Sequence, residues 1–158
     1  MAIKSGITAG VFALLLAFIA VIPIYPPNIW VLSFKIFSFE NTDFYFWGYV
    51  INGSQAVTTT LGFLPESLIS ISLWLIILLI GVSSIMASTK KAKFNNSLKL
   101  FKINILMSVL FLSIFSLIIF FIALNDLSSI LNILGFGYYV IIVVLILNIL
   151  ALKTLKKS

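Results

Sequence analysis

Residues 28–66 read NIWVLSFKIFSFENTDFYFWGYVINGSQAVTTTLGFLPE, and the reading of this stretch decides the fold. It carries ten aromatic residues, Trp30, Phe34, Phe37, Phe39, Phe44, Tyr45, Phe46, Trp47, Tyr49 and Phe63, and three of the chain's four acids, Glu40, Asp43 and Glu66. Trp30 to Phe39 reads as a first strand, in which the apolar Trp30, Leu32, Phe34 and Ile36 fall on one side and Ser33 and Lys35 on the other, the period of a strand rather than a helix. Glu40-Asn41-Thr42-Asp43 is a polar break suited to a turn. Phe44 to Ile51 reads as a second strand, and Asn52-Gly53 is a strong short-range hairpin signal. Ser54 to Leu61, with Thr58, Thr59 and Thr60, returns as a third. The expectation is a three-stranded antiparallel meander, which alone is marginal in water and needs a surface to rest on.

Outward from this loop, the chain is a lipid-soluble protein. Hydrophobic residues make up 62% of its 158 positions and charged ones 9%, more apolar surface than a soluble domain of this size can bury. A membrane span takes roughly 20 apolar residues. Four runs qualify, at about 7–25, 67–88, 103–124 and 127–152. The predicted fold is an all-α membrane protein, one four-transmembrane-helix bundle over residues 1–158, with the β-meander in its first outer loop, 28–66.

The first run starts after Lys4 and is closed by Pro23, Pro26 and Pro27. A basic start before an apolar core also describes a secretory signal, but the length and the prolines favour an uncleaved span. Gly6, Gly10, Ala13, Ala17 and Ala20 recur at spacings of 4, 3, 4 and 3, one stripe of small residues on a helix. In lipid, close approach across such residues drives helix packing. The stripe therefore serves either this chain's own spans or a partner subunit. Pro65 and Glu66 suit the first turn of the second span.

Charge gives orientation. With the N-terminus inside, nine of ten lysines are cytoplasmic: Lys4, five from Lys90 to Lys102, and Lys153, Lys156 and Lys157. Lys35 and all four acids, Glu40, Asp43, Glu66 and Asp126, are outside. Both termini are thus placed in the cytoplasm and loop 28–66 outside the cell, in a multi-pass protein of the cell membrane. Asn52-Gly53-Ser54 is a glycosylation sequon on the outer side, whereas Asn95-Asn96-Ser97 lies inside and stays silent. The inner lysines attract anionic lipid. The +6 net charge comes from lysine alone, without the arginine forks that read nucleic acid, so no nucleic-acid partner is expected.

The chain has neither His nor Cys, which removes the usual general base, the commonest metal ligand and any disulfide. No ionisable residue sits mid-span, against a pump or a proton-coupled carrier acting alone. The scattered outer acids are better read as solvated loop residues than as a Ca2+ site. No catalytic residue, metal or cofactor is expected. Polar candidates at depth are Asn104, Asn132 and Asn148, as hydrogen-bonding contacts between helices or as the lining of a solute path. Gly135-Phe136-Gly137 lets span four bend or lets another backbone approach.

Four spans, inner termini, a long first outer loop of β character and a very short second one resemble the claudin and peripheral myelin protein four-span families. Trp30 stands where those families carry an early loop Trp, and Phe46-Trp47-Gly48-Tyr49 stands where they carry Gly-Leu-Trp. The residue order differs, and the two loop cysteines are missing. The resemblance implies lateral self-association or partner binding through the outer sheet. The expected function is a non-catalytic membrane interaction protein, either an accessory subunit of a larger complex or self-associating. It would bind through the small-residue stripe and through Trp30, Phe34, Phe44, Phe46, Trp47 and Tyr49 of the loop. The alternative is a pore or carrier component for a neutral or apolar solute.

Overall fold

Between Lys4 and Phe18 the chain has no proline and forms helix α1. The computed structural model describes residues 3–19, 21–23, 31–39, 41–51, 57–59, 65–89, 92–124 and 133–157. Helix α1 ends earlier than the apolar run: Ile19 is already extended, at φ −108° and ψ 126°, with its N–H on the Leu15 carbonyl. Val21–Pro23 then forms strand β1. The β-branched residues before Pro23 favour extended backbone, so the helix predicted for 7–25 is Lys4–Phe18 instead. Its 15 residues measure about 22 Å.

Helix α2 is Pro65–Ala87 and opens on the expected proline. Helix α3, Phe94–Ala123, starts nine residues before its apolar run. The cause is a buried stripe that continues through the polar segment. Ser97, Phe101, Asn104, Ser108, Phe111, Phe115 and Ile119 follow one another at spacings of 4, 3, 4, 3, 4 and 4, while Lys99 and Lys102 stay exposed on the other side. Helix α4, Phe136–Lys157, is shifted towards the C-terminus relative to the predicted 127–152, and it buries Gly137, Val140, Ile141, Val144, Asn148, Ala151 and Leu155. By length and hydropathy, α3 and α4 are long and apolar enough to cross a membrane; α1 and the Ile71–Ala87 part of α2 are shorter apolar helices.

The helices pack in a ring, α1 on α2, α2 on α3, α3 on α4 and α4 on α1. Small residues set the α1–α2 approach. A Cβ on Gly10 would stand 2.6 Å from the Gly81 carbonyl oxygen, and one on Gly81 would stand 3.2 Å from that of Gly10. The Trp74 indole N–H donates to the Ala17 carbonyl at 2.9 Å, which fixes the other end of this pair.

The extended segments form two sheets. Strand β1 pairs with β2 (Val31–Ser33), and β3 (Phe37–Phe39), β4 (Thr42–Tyr45) and β5 (Gly48–Ile51) pair antiparallel in sequence, with β6 (Val57–Thr59) beyond β5. Three boundaries differ from the sequence expectation, the first being that Thr42 and Asp43 of the expected turn already belong to β4. The predicted first strand is split, because Phe34, Ile36 and Phe37 are all buried and its middle docks on α4 rather than continuing a ladder. The predicted second strand is itself a hairpin: Tyr45 pairs with Gly48 across the turn Phe46-Trp47, and Gly48 takes φ 148°, a region that favours glycine. Strand β6 lies within the predicted third strand, and its link to β5, residues 52–56, lies outside the described residues.

The bundle has two unlike ends. One carries the sheets. At the other, Ile3, Ala87, Phe101, Ala151 and Leu155 form a small cluster, and the Ile3 N–H bonds the Ser88 carbonyl at 3.0 Å. Of the described lysines, Lys4, Lys93, Lys99, Lys102, Lys153, Lys156 and Lys157 lie towards this second end and Lys35 towards the sheets.

Candidate functional site

The polar residues at depth converge on one network that ties three helices together. Ser83 and Ser84 are adjacent on α2. Ser83 Oγ donates to Asn104 Oδ1 at 2.8 Å, and Asn104 Nδ2 donates to Ser84 Oγ at 2.9 Å. Ser84 Oγ donates in turn to Asn148 Oδ1 at 2.9 Å, and Asn148 Nδ2 donates to the Val144 carbonyl at 2.9 Å. Two further hydroxyls bond back along their own helices, Ser88 to the Ser84 carbonyl at 2.6 Å and Ser108 to the Asn104 carbonyl at 2.8 Å. Asn148, Ser84 and Ser88 are completely buried. Both amides thus hold helices to one another, each through hydrogen bonds worth roughly 0.6–2 kcal/mol in lipid. The pair Ser83-Ser84 is the hub, and the sequence signal for it was two consecutive hydroxyls in the apolar second half of α2.

The small-residue stripe of α1 faces this same interior. Gly6, Gly10, Ala13 and Ala17 are buried. A Cβ on Gly6 would meet Ser88 Oγ and, at 3.0 Å, the Phe101 ring, while one on Gly10 would meet Ile85 and Gly81. The face is occupied by helices of the same chain.

At the sheet end, Gly135-Phe136-Gly137 is a backbone dock. Gly135 N–H donates to the Ile36 carbonyl at 2.9 Å and Gly137 N–H to the Lys35 carbonyl at 2.8 Å. Leu134 bridges Phe37, and Phe136 meets Phe34 edge-to-face at 5.4 Å. A Cβ on Gly135 would collide with the Lys35 carbonyl oxygen, and one on Gly137 with that of Phe34. Of the two readings of this motif, the structure shows the close backbone approach. Ile36 also donates to the Phe44 carbonyl at 2.7 Å, so residues 34–37 join α4 to the sheet.

The loop aromatics divide into two groups. Phe34, Phe37 and Phe46 are buried, and Phe46 packs edge-to-face on Phe111 and Phe115 of α3 at 5.2 and 5.7 Å. Phe44 stacks on Phe37 at 4.6 Å, and Tyr49 lies 6.1 Å from Phe44, both half-buried. Register places Phe37, Phe44 and Tyr49 in one cross-strand row, and Phe39, Thr42 and Ile51 in the next row on that face. Phe39 and Ile51 are exposed. On the opposite face, Tyr45 stacks on Trp47 at 4.8 Å and its hydroxyl pairs with Ser33 at 3.0 Å. Asp43 sits there too, held by Lys35 at 3.1 Å and Ser38 at 2.6 Å.

Ala20, Trp30, Asn52 and Asn132 lie outside the described residues, as do Glu40 and Asp126. Among the described residues no three His, Cys, Asp or Glu side chains gather as a metal site would require. The described residues also form an open feature. Between α2 and α3 a groove of about 260 Å³, floored by Ser83 and Asn104, meets at Leu100 a second hollow of about 370 Å³ beside Lys93 and Asn96. Neither was visible in the sequence, because helix neighbours cannot be read from one chain. No protein-family model, curated protein or solved structure matches this chain.

Proposed function

We propose that this chain is a non-catalytic, four-span integral membrane protein that engages other membrane proteins, or further copies of itself, through its outer sheet. In this reading both termini are cytoplasmic and the sheet end is extracellular. The separation of lysines to the end opposite the sheets supports it. The proposal also takes α1 and α2 as spans completed by neighbouring segments.

The observation that carries the reading is the face bearing Phe39, Thr42, Phe44, Tyr49 and Ile51. It is part-exposed, yet fixed at its β3 edge by Phe37 of the same face, which stacks on Phe44 and meets Phe115 of α3 at 6.3 Å. Rigid aromatics lose little conformational entropy on binding, which suits a contact surface. The stripe on α1 contributes less in this reading, since α2 and α4 of the same chain cover it. The pore or carrier alternative has less support, because Asn104 and Asn148 are engaged by Ser83, Ser84 and the Val144 carbonyl.

Photo-crosslinking groups at Phe39 and Ile51, used in native membranes, test the proposal. A discrete adduct absent with the group at Met86 supports it, and its mass separates a second copy, as the claudin-like reading requires, from a different subunit. Monomer alone at both sites overturns it.

A further inference from the structure

The α2–α3 groove has a direction. One stretch of it is lined by the apolar Leu79, Ile103 and Met107, and the other end by Thr89, Lys93 and Asn96. From Lys93 to Met107 is 14 residues of helix α3, about 21 Å. Half of a bilayer's hydrocarbon core is about 15 Å. The groove therefore matches one leaflet, with its polar mouth at headgroup depth and its apolar part at acyl-chain depth.

Charge selects the occupant. Between Glu66 and Asp126 the chain has no acid, but it has Lys90, Lys91, Lys93, Lys99 and Lys102. Lys93 lies at the mouth itself, and Lys99 and Lys102 stand exposed on the following turns of α3. A zwitterionic headgroup brings as much positive as negative charge to this end; an anionic one brings only the sign the lysines lack.

We infer that the α2–α3 groove binds one anionic phospholipid of the inner leaflet, its phosphate at Lys93 and Asn96 and one acyl chain along Leu79, Leu100, Ile103 and Met107. This inference rests on the membrane reading above but not on the partner-binding face. The lipid covers the Ser83–Asn104 bond from the side open to the groove, and so shields the network that joins α2 to α3.

The test is native mass spectrometry of the full chain in mild detergent, titrated with phosphatidylglycerol and with phosphatidylcholine of the same chains. One phosphatidylglycerol is expected to be retained at least fivefold more tightly than phosphatidylcholine. Lys93→Gln should weaken phosphatidylglycerol by about fivefold, one lysine's share near a charged surface, and leave phosphatidylcholine unchanged. Met107→Trp, which fills the groove, should weaken both, whereas Lys153→Gln on α4 should weaken neither. Equal retention of the two lipids, or no response to Lys93→Gln and Met107→Trp, overturns the inference. Circular dichroism of each variant verifies that it is folded. Extraction of membranes at alkaline pH keeps the two failures apart: a chain released with peripheral proteins refutes the membrane reading, while an integral chain without lipid preference refutes only the groove.

Discussion

Helix α3 is built in two halves that hold the same bundle by different means. Its first half buries Ser97, Phe101, Asn104 and Ser108, and there the fastening is hydrogen bonds between Asn104 and the serines of α2. Its second half buries Phe111, Phe115 and Ile119, and there it is aromatic packing against Phe37 and Phe46 of the sheets. The two fastenings differ in kind. Where polar side chains are buried, interhelical hydrogen bonds satisfy groups that would otherwise be desolvated without partners. Where large rings are buried, close van der Waals and edge-to-face contact holds the elements together.

The sharpest break in this comparison is Phe46→Ala. It removes a ring that is 1% exposed and in contact with both Phe111 and Phe115. The expected cost is about 3–5 kcal/mol, confined to the sheet end. Limited proteolysis should cut the segment between β2 and β5 much faster, while helical circular dichroism is retained. If the helices melt with the sheet, the two halves are a single cooperative unit and the division fails. Gly137→Val attacks the same end through the backbone, since its Cβ would meet the Phe34 carbonyl oxygen. The expected cost is about 1–3 kcal/mol with the same proteolytic pattern.

These two positions also show what a sequence can carry. The helical content, the proline start of α2, the strand character of the loop and the burial of Asn104 and Asn148 were legible, because each follows from local pattern or from the solvation of one side chain. The start of α3 was not, since Asn95, Asn96, Lys99 and Lys102 resemble a solvated connection while Ser97 and Phe101 quietly continue the buried stripe. Nor was the hairpin at Phe46-Trp47. Two aromatics are an unusual turn, and what makes it favourable is the α3 pocket that takes Phe46, a contact across 65 residues. The dock at Gly135 and Gly137 was one of two open readings, because glycine spacing permits a close approach without saying to what.

At the hydrogen-bonded half, Asn104→Leu should cost about 1–3 kcal/mol, as it takes the amide acceptor from Ser83 and the amide donor from Ser84. A double-mutant cycle of Ser84→Ala with Asn148→Leu should give a coupling of roughly 0.6–2 kcal/mol in a reversible detergent-unfolding assay. Zero coupling would mean that the hydrogen bond between α2 and α4 contributes nothing and that glycine packing alone closes this end.

The smallest effect is assigned to the ion pair Lys35–Asp43, although at 3.1 Å it is well formed and lies beside the dock. Lys35 is 29% exposed and Asp43 16%, so water and salt screen their attraction, and Ser38 still donates to Asp43 when the lysine is gone. Lys35→Gln should therefore cost less than about 1 kcal/mol. What holds residues 34–37 in place is the Lys35 and Ile36 carbonyls accepting from Gly137 and Gly135, and a change of side chain does not touch those bonds. The proteolysis rate that rises with Phe46→Ala and Gly137→Val should stay near that of the unaltered chain in Lys35→Gln, at low and high salt alike. A rate that climbs with salt in the unaltered chain would show that charge, rather than backbone and ring packing, fastens the sheet to the bundle.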